Sequence, residues 1–186
     1  FKAIIFGICV NFSYFIIGGI MAKIVIDPGH GGSDGGASAN GIVEKDLNLK
    51  VVLKLKDAFN KQGVDVLLTR DGDYDLSKPN AQRRKKSDFD NRIKLINNSK
   101  ADLYLSIHMN YLDDSKYYGA QVFYTDGNQE IAKYIQKEFN TTLDSKLDIR
   151  KIDQSIYMYK QLNVPGVLIE CGFLSNEKER NLLLTD

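Results

Sequence analysis

The sequence predicts an α/β fold, a single domain with a mainly parallel central sheet flanked by helices. Short β-branched runs alternate along the chain with segments of helical periodicity, which is typical of parallel sheets. The strand runs are four to seven residues long, as expected for strands buried in such a sheet. The length of 186 residues and the lack of an internal repeat indicate one domain of ordinary size.

Six segments have the composition of short strands, with β-branched, aliphatic or aromatic residues in close succession. In chain order they are residues 23–27, 64–69, 102–108, 120–124, 155–159 and 167–170. The first run ends at Pro28 and Gly29, a pair that commonly marks a turn. A glycine-rich loop then covers residues 29–41, and a polar loop begins at Arg70.

Four segments are predicted to be helices. They begin, in chain order, near Leu47, at Ser87 or Asp88, at Gln129 and at Asn176. The first has apolar residues at three- and four-residue spacing from Leu47 to Phe59, and Gly63 stands where a C-terminal cap belongs. Serine and aspartate side chains can cap the second helix. The last helix opens on an Asn-x-x-Glu pattern that resembles a capping box.

The first 22 residues differ from the alternating pattern. Twenty uncharged residues, 3–22, lie between Lys2 and Lys23. About 20 apolar residues is the length that crosses a bilayer as a helix, whereas the apolar part of a signal peptide is shorter. We expect residues 1–22 to be an export or membrane-anchor segment and residues 23–186 to be the folded domain. The alternative is an N-terminal helix that packs into the core.

The charged residues and cysteines narrow the class of protein. The 25 basic and 24 acidic side chains give a net charge of +1, which argues against a nucleic-acid-binding protein. Two cysteines, Cys9 and Cys171, are too few for a disulfide-rich scaffold or a cysteine-cluster metal site. Any imidazole chemistry must use His30 and His108, because the chain has no other histidine.

Ionisable residues follow three of the predicted strands. His30 lies three residues past the first strand, His108 ends the third, and Glu170 ends the last. Because ligands gather at the carboxyl ends of parallel strands, we expect these residues to converge on one edge. Two imidazoles and a carboxylate are a common ligand set of catalytic zinc. A second carboxylate would move protons, and the spacing of Asp34, Glu44 and Glu170 does not assign these roles.

Other interpretations of these residues stay open at this point. His108 fits a core histidine at the end of an apolar strand, and Cys171 fits a nucleophile. The glycine-rich loop could cradle a phosphate, but it lacks a Gly-Lys-Ser/Thr ending and carries Asp34 where a dinucleotide fingerprint has its last glycine. Glu170 needs a cation, hydrogen bonds or a raised pKa, because an unpaired buried carboxylate is costly.

Four blocks of the sequence resemble one enzyme family. They are residues 26–32 (IDPGHGG), 44–46 (EKD), 106–110 (SIHMN) and 165–176 (PGVLIECGFLSN). In content and order they are similar to zinc-dependent N-acetylmuramoyl-L-alanine amidases, and they span most of residues 23–186. The resemblance implies that His30, Glu44 and His108 bind one Zn²⁺ ion and that Glu170 is the catalytic carboxylate. It leaves Asp34 with a role in the loop alone.

Two further segments, residues 69–75 and 84–92, are similar to the germination-specific, spore-cortex branch of that family. This resemblance implies hydrolysis of the amide between N-acetylmuramic acid and L-alanine in peptidoglycan, with removal of stem peptides during muramic-δ-lactam formation. It places the protein outside the cytoplasm, in the forespore envelope or cortex space, exported or anchored through residues 1–22. Arg92 and Asn110 lie in or beside the blocks and are candidate contacts of the substrate or of the metal ligands.

The implied mechanism is metal-assisted amide hydrolysis. Zinc would polarise the lactyl carbonyl and lower the pKa of its water toward about 7, and Glu170 would carry the proton to the L-alanine amine. Two alternatives are a weakly active or inactive zinc- and peptidoglycan-binding relative that acts through a partner, and a zinc peptidase that cuts within the stem peptide. An accessory protein that orders the metal loop would raise zinc affinity by shifting the conformational population.

Overall fold

The computed structural model describes residues 2–9, 23–153 and 155–185, and it confirms the predicted fold class. The strands of this part of the chain are β1 (Lys23–Pro28), β2 (Ser38–Ala39), β3 (Ile42–Val43), β4 (Asp65–Leu68), β5 (Leu103–Asn110), β6 (Gln121–Tyr124), β7 (Arg150–Lys151) and β8 (Gly166–Phe173). The helices are α1 (Lys2–Cys9), α2 (Glu44–Lys61), α3 (Arg84–Asn98), α4 (Gln129–Thr142), α5 (Tyr157–Lys160) and α6 (Glu177–Leu182).

The main sheet has the strand order β4-β1-β5-β8-β6-β7. Strands β4, β1, β5 and β8 run parallel to one another, whereas β6 pairs with β8 in the antiparallel direction. Helix α2 connects β1 to β4, and helix α3 connects β4 to β5. The carboxyl ends of β1, β5 and β8 therefore lie side by side, and the loops that follow them meet at one edge of the sheet.

Both faces of the sheet are covered. Alternate side chains of β1 enter different apolar clusters, as the two-residue period of a strand requires. Ile24 and Ile26 belong to the larger cluster, which also contains residues of α2 and α4. Val25 belongs to a smaller cluster with Ile96 of α3 and Met158 of α5. Burial on two sides explains why the strand segments are apolar at successive positions.

Helix α2 packs its apolar face against β1 and β5. Its large buried apolar residues recur at helical spacing and are Leu47, Val51, Val52, Leu55 and Phe59. The helix ends at Lys61, and Gly63 adopts a φ of 78°, which glycine takes without strain. The helix begins at Glu44, three residues before the first predicted apolar position. This early start places the Glu44 carboxylate at the edge of the sheet.

The predicted strand at residues 155–159 is wrong. Tyr157–Lys160 forms the short helix α5, in which the Lys160 N–H donates to the Ile156 carbonyl (3.4 Å). Met158 is buried in the smaller apolar cluster, so one helical turn achieves the burial that the composition suggested for a strand. The edge of the sheet is formed instead by β7, which pairs with β6.

The predicted cap of the second helix is also wrong, because α3 begins at Arg84 and includes both candidate residues. Ser87 Oγ accepts a hydrogen bond from the Lys78 backbone N–H (3.0 Å). The Asp88 carboxylate accepts from the Leu76 backbone N–H (2.7 Å) and from Arg92 Nε (2.9 Å). These polar side chains thus attach the preceding loop to the helix.

Asn176 is the N-cap of helix α6, as predicted, and its side-chain oxygen accepts a hydrogen bond from the Glu179 N–H (3.1 Å). The Glu179 carboxylate accepts instead from the backbone N–H groups of Gly119 (2.9 Å) and Phe173 (2.7 Å). One half of the capping box is therefore formed, and the Glu179 carboxylate instead joins the β5–β6 loop to the end of β8.

Helix α1 packs against α4 and α2. Ile4 and Ile8 are buried in the larger apolar cluster, and Gly7 lies so close to the Phe139 ring that an added Cβ would stand 2.8 Å from Cδ1. Within the described residues, no helix combines the length and apolar character required to cross a membrane. Residues 10–22 of the expected export or anchor segment lie outside the described part of the chain.

Candidate metal centre

The fold brings four of the predicted site residues to one edge of the sheet. His30 follows β1 by two residues, His108 lies near the end of β5, and Glu170 lies in the second half of β8. The register of β5 and β8 pairs His108 directly with Glu170. Glu44 reaches the same edge from the first turn of α2.

Three of these residues form a compact cluster around the Glu44 carboxylate. Oε1 of Glu44 lies 2.9 Å from His108 Nδ1, and Oε2 lies 3.2 Å from His30 Nε2. The imidazole rings of His30 and His108 meet edge to face, with their centroids 5.0 Å apart. One donor atom from each of the three residues lies within 4.8 Å of the other two. The cluster therefore offers two imidazoles and one carboxylate to a single point.

The Glu44 carboxylate is held in place by its own surroundings. Its side chain is buried, and it accepts hydrogen bonds from the backbone N–H groups of Ala37 (2.8 Å) and Met109 (3.2 Å). Asn48, one helical turn later on α2, donates to Oε1 (3.3 Å) and to the Gly29 carbonyl (3.1 Å). These donors come from three different segments, so they fix the carboxylate relative to both histidines.

Two glycines leave room for the ligands. An added Cβ at Gly29 would lie 2.1 Å from His108 Cε1, and one at Gly36 would lie 2.4 Å from Glu44 Oε2 and 2.6 Å from His30 Cδ2. Gly36 also has a φ of 69°, in the region that favours glycine. The glycine-rich composition of this loop is therefore a packing requirement of the cluster.

His30 is oriented from its far side by Asp34. Oδ1 of Asp34 lies 3.1 Å from His30 Nδ1, and Oδ2 lies 3.3 Å from Lys85 Nζ. Burial would raise the pKa of Asp34, but the facing His30 and Lys85 outweigh it and lower that pKa. A carboxylate on one imidazole nitrogen leaves the other nitrogen free to bind a metal, and here that nitrogen faces Glu44.

The charges within the cluster favour an ionised Glu44. Burial by itself would raise the pKa of this carboxyl, but the hydrogen bonds and charges of His108 and His30 lower it far below its usual range. Burial would likewise lower the pKa of His108, but the hydrogen bond with Glu44 and the charge of Glu170 raise it. The pair therefore holds a carboxylate that is ready to bind a cation.

Glu170 has the opposite environment. Its Oε2 atom is buried and has no hydrogen-bond partner among the described residues. Burial raises the pKa of Glu170 to about 7, and the charge of Glu44 adds to this effect, whereas His108 and His30 oppose it. A carboxyl with a pKa near neutrality can both accept and return a proton. This property suits a proton carrier better than a metal ligand.

The donor set fits a zinc ion. Zinc in catalytic sites is commonly bound by histidine nitrogens and a carboxylate, with one position left for water or substrate. Such a set is supplied by His30, Glu44 and His108. Glu170 adds a second carboxylate, and its Oε2 atom accepts no hydrogen bond from the described residues. A buried carboxylate oxygen without a partner is expected beside a site that takes up water or a polar ligand.

The two remaining site candidates lie in different surroundings. Arg92 is 1% exposed and donates hydrogen bonds to Asp27 Oδ1 (2.7 Å) and to the His30 carbonyl (2.7 Å). Asn110 is half-buried at the end of β5, where its Oδ1 accepts from the Tyr111 backbone N–H (2.8 Å). Arg92 thus contacts the backbone of a metal-ligand candidate, and Asn110 shapes the loop after His108.

Cys171 does not have the surroundings of a nucleophile. Its thiol is buried, and burial raises its pKa far above the usual range. Because the thiolate is the reactive form, a thiol held neutral in this way is unreactive. Among the alternatives that the sequence left open, a Cys–His pair therefore receives no support from the geometry.

Sequence reasoning missed two side chains that support the cluster. Asn48 stands four residues after Glu44, a polar residue among the apolar positions that α2 buries. Arg70 directly follows Thr69 at the carboxyl end of the second predicted strand, the edge where ligands gather. The positions of Asn48 and Arg70 can be noticed in the sequence, but only the fold shows which backbone groups their side chains contact.

Known proteins resemble this chain in sequence over most of its length. The family model for N-acetylmuramoyl-L-alanine amidase matches residues 24–186. The germination-specific N-acetylmuramoyl-L-alanine amidase of Bacillus subtilis is 43% identical over 166 residues, which are 86% of this chain and 70% of that protein. The probable cell wall amidase LytH of Staphylococcus epidermidis is 34% identical, and the match covers 86% of this chain and half of that relative.

Solved structures give the same result. The CwlD amidase of Clostridioides difficile, solved in complex with the GerS lipoprotein, superposes with a TM-score of 0.83 at 40% identity and covers 88% of each chain. An N-acetylmuramoyl-L-alanine amidase from Clostridium difficile 630 superposes with a TM-score of 0.78 at 29% identity, covering 89% of this chain and 87% of that one. Both the fold and the matched length lead to one assignment. The chain belongs to the N-acetylmuramoyl-L-alanine amidase family.

Proposed function

We propose that this chain is a zinc-dependent N-acetylmuramoyl-L-alanine amidase, which hydrolyses the amide between N-acetylmuramic acid and L-alanine in peptidoglycan. The observation that carries the proposal is the pairing of a three-residue metal cluster with a separate unpaired carboxylate at one sheet edge. Membership of the amidase family supports the reaction class. The donor types of the cluster support zinc as the metal.

His30, Glu44 and His108 would hold the ion. When bound, zinc supplies a Lewis acid that polarises the substrate carbonyl and lowers the pKa of a water molecule. The chain contributes the geometry: Asp34 orients the His30 ring, and Asn48 and two backbone N–H groups hold the Glu44 carboxylate. These contacts reduce the rearrangement that metal binding would otherwise require.

Glu170 would act as general base and then as general acid. It accepts a proton from the attacking water and delivers it to the leaving amine of L-alanine, so that the carboxyl ends the cycle as it began it. In the metal-free chain, burial raises the pKa of Glu170 to about 7, in the range that suits a group that both accepts and returns a proton. No third histidine exists in the chain to share this task.

A wide groove of about 1080 Å³ is lined by Asn40 of the β2–β3 hairpin, Tyr111 and Tyr118 of the β5–β6 loop, and residues of α6. The cluster residues do not line it, but the hairpin precedes Glu44 in the chain and the β5–β6 loop follows His108. An open groove next to these segments supports an extended substrate such as a muropeptide or a glycan strand.

The cellular role is the finer part of the proposal. The germination-specific name of the Bacillus subtilis relative supports a role in spore-cortex peptidoglycan, where removal of stem peptides leads to muramic-δ-lactam. Action on peptidoglycan supports a location of the domain, residues 23–186, outside the cytoplasm, and the germination-specific relative supports the forespore envelope or cortex space. Residues 1–22 would serve as the export or anchor segment, of which residues 2–9 pack as α1 against α4 and α2 in the structure. The complex of CwlD with the GerS lipoprotein supports an accessory protein for this chain as well.

The test is a turnover assay on purified peptidoglycan fragments. The full chain is loaded with zinc, and the products are identified by mass spectrometry. Free stem peptides that begin with L-alanine, together with peptide-free muramic acid, are expected. Products cut between amino acids of the stem peptide would identify a zinc peptidase instead. No products from a chain that contains one zinc would identify an inactive binding relative. Either result would reject the proposal.

Glu170→Gln is the informative variant in this assay. It keeps the size of the side chain but removes its ability to carry a proton, so activity should fall while zinc content stays at one ion per chain. Glu130→Gln is the matched control, because it makes the same chemical change at an exposed residue of α4 whose one ion-pair partner among the described residues is Lys133. The control should retain full activity.

A further inference from the structure

Two buried arginines hold the backbone that carries His30. Arg70 donates from Nε to the Pro28 carbonyl (3.0 Å) and from Nη2 to the Gly29 carbonyl (2.9 Å). Arg92 donates from Nη1 to the Pro28 carbonyl (3.1 Å) and from Nη2 to the His30 carbonyl (2.7 Å). Three successive carbonyls therefore each accept at least one charge-assisted hydrogen bond. We call Arg70 and Arg92 the arginine clamp.

Arg70 also joins this backbone to helix α2. The same Nη2 atom that donates to the Gly29 carbonyl donates to the Lys45 carbonyl (2.9 Å). Lys45 directly follows Glu44 in the first turn of α2. One planar guanidinium therefore fixes the separation between the segments that carry His30 and Glu44. A lysine ammonium has no such fixed directions.

Arg92 is fixed from its other side by two carboxylates. Its Nη1 lies 2.7 Å from Asp27 Oδ1, and its Nε lies 2.9 Å from Asp88 Oδ2. Thr69 Oγ1 donates to the same Asp27 oxygen. Burial would lower the pKa of Arg92, but the charges of Asp27 and Asp88 raise it above its usual value. The guanidinium is therefore both immobile and permanently charged.

The clamp cannot act by contacting the substrate, because Arg70 and Arg92 are each 1% exposed. The backbone that it holds needs support. His30 has a φ of 62°, in the left-handed region that residues other than glycine seldom occupy. A conformation of this kind persists only where its surroundings determine it. The hydrogen bonds from the clamp to Pro28, Gly29 and His30 act here together with that of Asn48 to the Gly29 carbonyl and with the contact of Asp34 to the His30 ring.

We propose that Arg70 and Arg92 are positioning residues that hold His30 and Glu44 at metal-binding distance and thereby set the zinc affinity of the chain. The inference rests on the proposed function, because it takes zinc as the bound ion. Groups that orient metal ligands without touching the metal commonly account for about 10- to 100-fold in affinity. We expect a loss of this size when either arginine becomes lysine.

The experiment compares Arg70→Lys, Arg92→Lys and the control Arg180→Lys in the full chain. Arg180 is a suitable control because it is also buried and donates to a backbone carbonyl, that of Leu174 (2.7 Å), away from the clamp. Zinc affinity is measured by competition with a chromophoric chelator. The visible absorption spectrum of each Co²⁺-loaded protein reports the geometry of the bound ion, and the unfolding free energy of each metal-free protein reports its stability.

The clamp predicts that Arg70→Lys and Arg92→Lys weaken zinc binding about 10- to 100-fold and change the cobalt spectrum, whereas Arg180→Lys does neither. Zinc affinities within about two-fold of wild type in both clamp variants would overturn it, as would an equal loss in Arg180→Lys. If Arg92→Lys fails to fold because Asp27 loses its partner, Arg70→Lys decides the question. All four hydrogen bonds of Arg70 go to carbonyls, so its replacement leaves no carboxylate unpaired.

Failure of the clamp and failure of the proposed function give different results. If the wild-type chain binds no zinc, the proposed function is rejected before any variant is compared. If the wild-type chain binds zinc and cleaves peptidoglycan but the clamp variants have unchanged zinc affinity, only the positioning role of the clamp is rejected. The affinity measurement needs no substrate, so it is independent of the activity assay.

Discussion

Two carboxylates at the same sheet edge, Glu44 and Glu170, have contrasting surroundings. Glu44 lies at the start of α2, where two backbone N–H groups, Asn48 and both histidines contact its oxygens. Glu170 lies in β8, and its buried Oε2 contacts no hydrogen-bonding group of the described residues. The pKa of Glu44 is lowered far below the usual range, whereas burial raises that of Glu170 to about 7.

The contrast shows how a fold assigns different chemistry to identical side chains. Donors that surround a carboxylate stabilise its charge, and burial without donors favours its protonated form. We therefore propose metal binding for Glu44 and proton transfer for Glu170. The four predictions that follow test this division, beginning with the largest expected effect.

Removing the ionised partner of the histidines should abolish metal binding. Glu44→Gln keeps the size of the side chain but replaces a charged ligand with a neutral amide, which is a poor zinc ligand. We expect the variant to lose stoichiometric zinc and all measurable amidase activity. Elemental analysis of the purified protein measures the first effect. Retention of one tightly bound zinc per chain would contradict the role given to Glu44.

Removing the proton carrier should abolish turnover without removing the metal. Glu170→Gln should lower the rate of amide hydrolysis by about 10²- to 10⁴-fold, the usual contribution of general acid–base catalysis. Zinc content should remain at one ion per chain. Rates are measured from the release of stem peptides. A variant that keeps wild-type activity, or that loses its zinc, would break the comparison between the two carboxylates.

The raised pKa of Glu170 should also be visible in the stability of the metal-free chain. The folded pKa of about 7 lies above the ordinary value of 4.5, so the folded state binds more protons than the unfolded state between these values. The unfolding free energy should therefore fall as pH rises from about 4.5 to 7, by on the order of 3 kcal/mol. Glu170→Gln should remove this part of the pH dependence in urea unfolding, and a slope unchanged by the substitution would count against the burial of an unpaired carboxyl.

The smallest predicted effect concerns Asp34, which contacts a metal-ligand candidate and not the metal. Asp34→Asn keeps a polar group near His30 Nδ1 but removes the charge that fixes the ring. We expect zinc affinity to fall by about 10-fold, the lower end for such supporting groups. Isothermal titration or chelator competition measures the change. An affinity equal to that of wild type would limit Asp34 to shaping the loop.

The fold class and the convergence of the candidate site residues at one sheet edge could be predicted from the sequence. Alternation of strand and helix patterns predicted the α/β class, and His30, His108 and Glu170 could be placed at strand ends because parallel strands share their carboxyl edge. The sequence did not show which of Glu44 and Glu170 is the metal ligand and which is the proton carrier. A glutamate looks the same in the sequence whether hydrogen-bond donors or apolar atoms surround it in the fold. Only the resemblance to an amidase family suggested which was which.

Local patterns were least informative where tertiary contacts decide the structure. Met158 is buried by a single helical turn, although its neighbours have the composition of a strand. Asp88 has the side chain of a helix cap but contacts Leu76 and Arg92. Of the arginine clamp, Arg92 was a candidate contact of the metal ligands because it lies in a segment similar to the family, whereas Arg70 was missed, since it is distant in sequence from the carbonyls that it holds.

The ionisation of the two carboxyl groups tests the central claim most directly. Side-chain ¹³C NMR of the metal-free chain labelled at glutamate, with Glu44→Gln and Glu170→Gln to assign the two signals, follows each group through a pH titration. We expect Glu170 to titrate near pH 7, while Glu44 stays ionised through the acidic range in which ordinary carboxyl groups gain protons. Titration of Glu170 at an ordinary value, near 4.5, or of Glu44 at the higher pH would contradict the division of roles.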